Sequence, residues 1–138
     1  MKLTRRETLL AGLGTACVAV LPIPAFASVE DAVAAFTGGA DTGTDGIVLT
    51  APEIAENGNT VPVEVAAPGA VSITLLAAGN PNPEVVTFNF GALAASQSAS
   101  TRIRLAGTQD VVAVAKMADG SFVRASSEVK VTIGGCGG

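Results

Sequence analysis

The chain has 138 residues, with no His, Tyr or Trp and with 8 Lys and Arg against 12 Asp and Glu. Without an imidazole there is no Ser/His/Asp triad, no Cys/His dyad and no His-ligated metal. An acidic chain also lacks the basic footprint that binds nucleic acid. Its two cysteines, Cys17 and Cys136, are too few and too far apart for a zinc site or a CxxC redox pair.

Residues 1–27 read as an export signal. Lys2, Arg5 and Arg6 precede an apolar stretch at 9–21 that is too short to span a bilayer comfortably. Pro22 and Pro24 end the stretch, and Ala25-Phe26-Ala27 is a small-x-small cleavage site before Ser28. Adjacent Arg5 and Arg6, with Leu9 three residues on, resemble a twin-arginine signal, whose cargo is exported folded. An ordinary secretion signal with two neighbouring arginines is the alternative. Cys17 is discounted as a lipoprotein cysteine: Gly14 stands where such signals have Leu, and the apolar stretch runs past it. Cleavage takes Lys2, Arg5, Arg6 and Glu7 with it and leaves residues 28–138, with 5 bases against 11 acids and Cys136 as the one cysteine. That is a single exported domain with no membrane segment, large enough to bury its own core.

Ser28 caps a short helix that Gly38-Gly39 ends, with Glu30 and Asp31 in its first turn. Val29, Ala32, Val33 and Phe36 follow i, i+3, i+4, i+7 spacing and form one apolar stripe. Residues 40–46, rich in Gly, Thr and Asp, read as a loop. From Gly46 on, apolar runs alternate with turn chemistry. The runs predict seven strands at 47–50, 61–65, 71–77, 84–90, 101–105, 110–118 and 122–133. Between them lie Glu56-Asn57-Gly58-Asn59, Pro68-Gly69, Gly79-Asn80-Pro81-Asn82-Pro83, a loop at 92–100, Gly107-Thr108 and the hairpin turn Asp119-Gly120. Ile103 and Leu105 face one way and Arg102 and Arg104 the other, as do Val129, Val131 and Ile133 against Lys130 and Thr132. The fold expected is all-β: an immunoglobulin-like antiparallel β-sandwich of about seven strands, occupying residues 28–133 together with its N-terminal helix.

Those 5 bases and 11 acids are few for a chain of this length, well under the roughly one quarter of charged residues typical of soluble domains. Either an apolar face is covered by another subunit, or Ser, Thr and Asn coat a monomer.

The end of the chain, Gly134-Gly135-Cys136-Gly137-Gly138, carries the only chemistry that stands out. Four glycines around one thiol make a flexible arm at 134–138 that is not expected to pack, reaching about 10 Å beyond the sandwich. An exposed thiol in an oxidising compartment is a liability, which points to a use. No second cysteine is available to resolve a disulfide, and Lys130 is the nearest cation, so nothing local activates the sulfur. A thiol activated inside a partner's site fits this arrangement. A disulfide staple between two copies of the chain is the alternative.

At these residues the sequence resembles the SoxY family, the sulfur-carrier subunits of the periplasmic thiosulfate-oxidising Sox system. The likeness rests on the terminal Gly-Gly-Cys-Gly-Gly and on Ile54-Ala55-Glu56-Asn57-Gly58 with Val61-Pro62-Val63. It continues through Asn80-Pro81-Asn82-Pro83-Glu84-Val85-Val86-Thr87-Phe88, Ser100-Thr101-Arg102-Ile103-Arg104-Leu105-Ala106 and Asp119-Gly120-Ser121-Phe122. Residues 66–78 depart from it, being alanine-rich where a charged stretch at a sheet edge or partner contact is expected. The resemblance implies that Cys136 is the covalent attachment site and that the chain is a carrier, not an enzyme, with no cofactor. It implies pairing with SoxZ, oxidative loading of thiosulfate by the c-type cytochrome SoxAX to give a cysteine S-thiosulfonate, and release of sulfate by the hydrolase SoxB. The sulfane dehydrogenase SoxCD acts on the remaining sulfur where it is present.

Overall fold

The computed structural model describes residues 28–134; the signal at 1–27 with Arg5 and Arg6, and the terminal Gly135, Cys136, Gly137 and Gly138, lie outside the described residues. Helix α1 (Val29–Thr37) is followed by strands β1 (Thr42–Gly43), β2 (Val48–Thr50), β3 (Ile54–Asn57), β4 (Val61–Ala66) and β5 (Ala70–Ala77). Then come β6 (Glu84–Asn89), β7 (Ser98–Ile103), β8 (Gln109–Met117) and β9 (Phe122–Ile133).

The helix forms where its capping signals stand. Ser28 Oγ accepts the Asp31 amide at 3.2 Å, and Gly38 closes the C-terminus in the left-handed region at φ 67°. Its apolar stripe lies on the larger sheet, where Ala32 and Val33 join Leu76, Val112 and Val114, with Val29 and Phe36 at the margin. Phe36 meets Phe122 edge-on at 5.9 Å, and Arg124 grips both carboxylate oxygens of Glu30 at 2.8 and 2.9 Å.

Behind that face lies an immunoglobulin-like sandwich. The larger sheet runs β1-β9-β8-β5-β6, with β3 also on β9, and the smaller runs β2-β4-β7. Val61, Val63, Val65, Ile103 and Leu105 pack across the interior against residues such as Ile73, Leu75, Val111 and Val129. The molecule is thus three layers deep: helix, larger sheet, smaller sheet. The middle strands β5 and β8 are buried on both faces, which is why they read as unbroken apolar runs and not as alternating ones. At about 1.5–3 kcal/mol for each fully buried Val, Leu or Ile, these two strands carry a large share of the apolar stabilisation. The alanine-rich stretch at 66–78 has its explanation here. Most of it is β5, paired with β8 on one side and β6 on the other, so it is sheet interior and not the edge that its departure from the family pattern suggested.

All seven predicted strands are present, with shifted ends. The 92–100 loop is shorter than expected because Ser98, Ala99 and Ser100 already pair with Ala66, Val65 and Glu64. Two further strands, β1 inside the 40–46 loop and β3 beside Asn57, pair in parallel with β9 and are its creation: Thr42 with Phe122, Ile54 with Lys130, Asn57 with Ile133. They break the all-antiparallel pattern and cover stretches of an otherwise open edge. Along β9 the expected inward face is confirmed at Val129 and fades toward the chain end, through half-buried Val131 to exposed Ile133. Among the described residues no helix is long and apolar enough to cross a membrane.

Candidate functional site: where the C-terminal segment leaves the sandwich

Of the residues singled out in the sequence, Gly134 lies within the described residues and Cys136 two positions beyond it. Gly134 marks the place where the chain leaves the fold.

The last turns of β9 are held along both edges. Consecutive amides of a strand point to opposite sides. Lys130 N–H donates to the Glu53 carbonyl at 2.9 Å on the β3 side, and Val131 N–H donates to Thr108 Oγ1 at 2.9 Å on the β8 side. The Ile133 carbonyl then accepts the Gly58 amide at 2.7 Å, and the Gly58 carbonyl accepts the Leu105 amide, also at 2.7 Å. Buried Gly58 so ties the end of β9 to the end of β7, bridging the two sheets at the exit point.

Gly134 comes next, and it differs from the expectation of a free arm. A Cβ placed on it would overlap the carbonyl oxygen of Ala106. The glycine is required here for close approach of two backbones, a different service from flexibility.

The segment carrying Ala106 is itself locked. Asn80 Nδ2 donates to the Arg104 carbonyl at 2.8 Å, while Asn80 Oδ1 accepts the Ala106 amide at 2.9 Å. Gln109 Nε2 bridges Asn80 Oδ1 at 2.9 Å and the Gly107 carbonyl at 3.0 Å, and Gln109 Oε1 accepts the Gly79 amide at 2.8 Å. Both side chains are 8% exposed. Gly79 fits because it has no side chain: a Cβ there would lie 3.0 Å from Gln109 Cβ. Asn80 stood in the sequence as one polar residue of a Pro-rich turn, and Gln109 was not singled out at all. The distances between them in sequence left no local signal of the pair.

Elsewhere the surface offers little chemistry. An open groove of about 810 Å³ runs along the outer face of β4 and β7, lined among others by Thr50, Pro52, Pro62, Glu64 and Arg102. Among the described residues no group of three or more Cys, Asp or Glu is placed to hold a metal ion. Exposed large apolar side chains, Val48, Ile54, Val71, Leu93 and Ile133, are spread over different elements.

No curated protein matches the chain in sequence. Among solved structures, the sulfur carrier protein SoxY from Chlorobium limicola f thiosulfatophilum is similar at 39% identity, over 77% of this chain and 97% of that one, with a TM-score of 0.65. A superoxide reductase (neelaredoxin) from Ignicoccus hospitalis shares the fold at 18% identity, over 64% of this chain and 81% of that one, with a TM-score of 0.56. A putative superoxide reductase from Thermotoga maritima does so at 17%, over 70% and 89%, with a TM-score of 0.53. Residues 33–136 match the family described as sulfur oxidation protein SoxY, a match that ends on the terminal cysteine. The chain belongs to the SoxY family.

Proposed function

We propose that the chain is a covalent carrier of sulfur intermediates in thiosulfate oxidation, with Cys136 as the attachment site. The observation that carries the reading is the family match running through to Cys136, the one cysteine that follows residue 27. It is supported by the similarity to a solved sulfur carrier and by the exit of the chain at one end of the sandwich, two residues before the thiol. In loading, the Cys136 thiol loses its proton and its sulfur bonds to the outer sulfur of thiosulfate. The two electrons released go to a c-type cytochrome partner, SoxAX. Hydrolysis of the S-thiosulfonate by SoxB then adds water across the sulfur–sulfonate bond, releasing sulfate and leaving a persulfide on Cys136. SoxCD is the partner for oxidising that remaining sulfur.

This chain supplies the handle and its placement, and the chemistry belongs to the partners, so it is not itself an enzyme. The protein works in the periplasm after export through the twin-arginine pathway and cleavage before Ser28, paired with SoxZ. Intact mass spectrometry without reductant, after incubation with thiosulfate and the loading partner, tests the reading. Wild-type chain should gain a thiosulfate-derived adduct and Cys136→Ser should gain none. A product consisting only of disulfide-linked dimer, or adducts that persist on the serine variant, would refute it.

A further inference from the structure

One motif is left unused by the carrier reading: Asn57-Gly58, where β3 ends. An asparagine side-chain carbonyl can be attacked by the backbone nitrogen of the next residue, and the identity of that residue decides how readily. Asn80 and Asn82 precede prolines, whose nitrogens carry no proton to lose, and Asn59 and Asn89 precede the bulkier Thr60 and Phe90. Asn57 alone precedes a glycine, which puts no side chain in the way. The fold has assembled one half of this reaction and blocked the other. Asn59 N–H donates to Asn57 Oδ1 at 3.0 Å, so the side-chain carbonyl is already polarised, with a donor aimed at the oxygen on which charge builds during attack. The attacking nitrogen is held back. Gly58 is buried, its N–H is committed to the Ile133 carbonyl at 2.7 Å, and its own carbonyl accepts the Leu105 amide at 2.7 Å. An amide nitrogen attacks only after losing its proton, and here that proton is shielded between two strand ends.

We propose that Asn57 is a latent deamidation site and that the end of β9 is its lock. When the Ile133 carbonyl moves away, water or hydroxide takes the Gly58 amide proton and the nitrogen bonds to Asn57 Cγ. The bond from Cγ to the side-chain nitrogen breaks, that nitrogen takes a proton from water, and it leaves as ammonia, giving a cyclic imide. Water then opens the ring at either carbonyl and leaves aspartate or isoaspartate at position 57. No electrons change hands and no cofactor is used. The lock opens by local fraying of the strand end, where Ile133 is 67% exposed and Val131 N–H is held on the β8 side by Thr108 Oγ1. The isoaspartyl product carries an added methylene in the backbone between residues 57 and 58. Gly58 then cannot reach both Ile133 and Leu105, so the reaction removes a bridge between the two sheets, and refolding does not restore it. None of this depends on what Cys136 carries.

The test follows two rates in the full chain, kept reduced in mildly alkaline buffer: deamidation at position 57, by peptide mapping with isoaspartate detection, and hydrogen exchange of the Gly58 amide. Both begin with loss of the same proton, so they should respond together. The folded protein should deamidate at least about tenfold more slowly than the same chain in urea, since opening has to break both bonds on Gly58. Thr108→Val removes the acceptor for Val131, and Gly134→Ala places a Cβ on the Ala106 carbonyl, so each loosens or displaces the end of β9. Thr108 is exposed, and its replacement leaves the core intact. Each variant should raise both rates severalfold in the folded protein and leave the rate in urea unchanged. Ser126→Ala, at an exposed position in the middle of β9, should change neither. A folded chain that deamidates at position 57 as fast as in urea, variants that fail to speed the reaction, or an Asn57 that stays intact even in urea would overturn the proposal.

Discussion

Replacing Asn80 with Ala removes three hydrogen bonds at once and shortens a buried side chain. The Arg104 carbonyl loses its donor, the Ala106 amide loses its acceptor, and Gln109 Nε2 keeps only Gly107. A typical intramolecular hydrogen bond contributes a net of about 1 kcal/mol, so the three together suggest about 3 kcal/mol. Two corrections pull in opposite directions. Arg104 and Ala106 lie at the surface, where water can replace part of what is lost, while Gln109 is buried and its orphaned N–H costs more than the mean. The expected loss is about 2–4 kcal/mol, a large fraction of the roughly 5–15 kcal/mol that holds a typical domain. Urea unfolding reads it directly, as a midpoint lowered by about 1–2 M with an unchanged slope. Asn82→Ala, at an exposed position in the same Pro-rich turn, is the control and should stay within about 0.5 kcal/mol of wild type. If the two alanine variants lose the same amount, or Asn80→Ala loses under about 1 kcal/mol, the clamp at the chain exit is not the tightly bonded unit described.

Gly79→Ala should lose about 1–3 kcal/mol in the same urea assay, because its Cβ would sit 3.0 Å from a Gln109 side chain that three hydrogen bonds keep from moving aside. Glu30→Gln should cost under about 1 kcal/mol at neutral pH, since the Glu30 carboxylate that pairs with Arg124 is exposed to solvent. Hydrogen bonding from Arg124 holds the Glu30 carboxyl below its ordinary range, so its contribution is complete above that range and is lost as pH falls through the lowered value. The gap between wild type and Glu30→Gln should therefore close in acid; a gap that widens would contradict the assignment. Gly135→Val combined with Gly137→Val should leave the melting temperature and the reaction of Cys136 with a small alkylating agent nearly unchanged, and should sharply reduce turnover by the loading and hydrolysing partners. Turnover at the wild-type level would show that no confined site has to admit the thiol segment.

Features written in adjacent residues were readable from the sequence. The alternation of Arg102, Ile103, Arg104 and Leu105 gave the correct face, with both apolar residues buried and both arginines exposed. Asp119-Gly120 is the β8–β9 turn, with Asp119 Oδ1 accepting both the amide and the hydroxyl of Ser121 and Gly120 at φ 87°. Features created by a distant partner were not readable. Thr42-Gly43 has no strand periodicity and becomes β1 only because the long β9 offers it an edge. Asn80 and Asn82 look alike beside their prolines, and one is buried while the other is exposed. What separates them is Gln109 and the 104–107 segment, more than twenty residues away. The same holds at the candidate site. The glycines announced a thin chain end, but the contact of Gly134 with Ala106 depends on a loop that no local pattern connects to it.

Fixing the backbone as far as Ile133 also limits, on the proposed carrier role, how far cargo could travel. Cys136 lies three positions beyond Ile133, a span of at most about 11 Å between Cα atoms. If Cys136 carries the sulfur as proposed, a partner enzyme could not draw it into a deep tunnel while the carrier waits outside; its active-site mouth would have to close over the end of the sandwich itself, around Gly58, Ala106 and Ile133. Under that proposal, successive partners would compete for one small rim, and two of them could not be engaged together. Handover would then require complete release into solution, and the order of visits would depend on how each partner's affinity for that rim changes with the group the thiol bears.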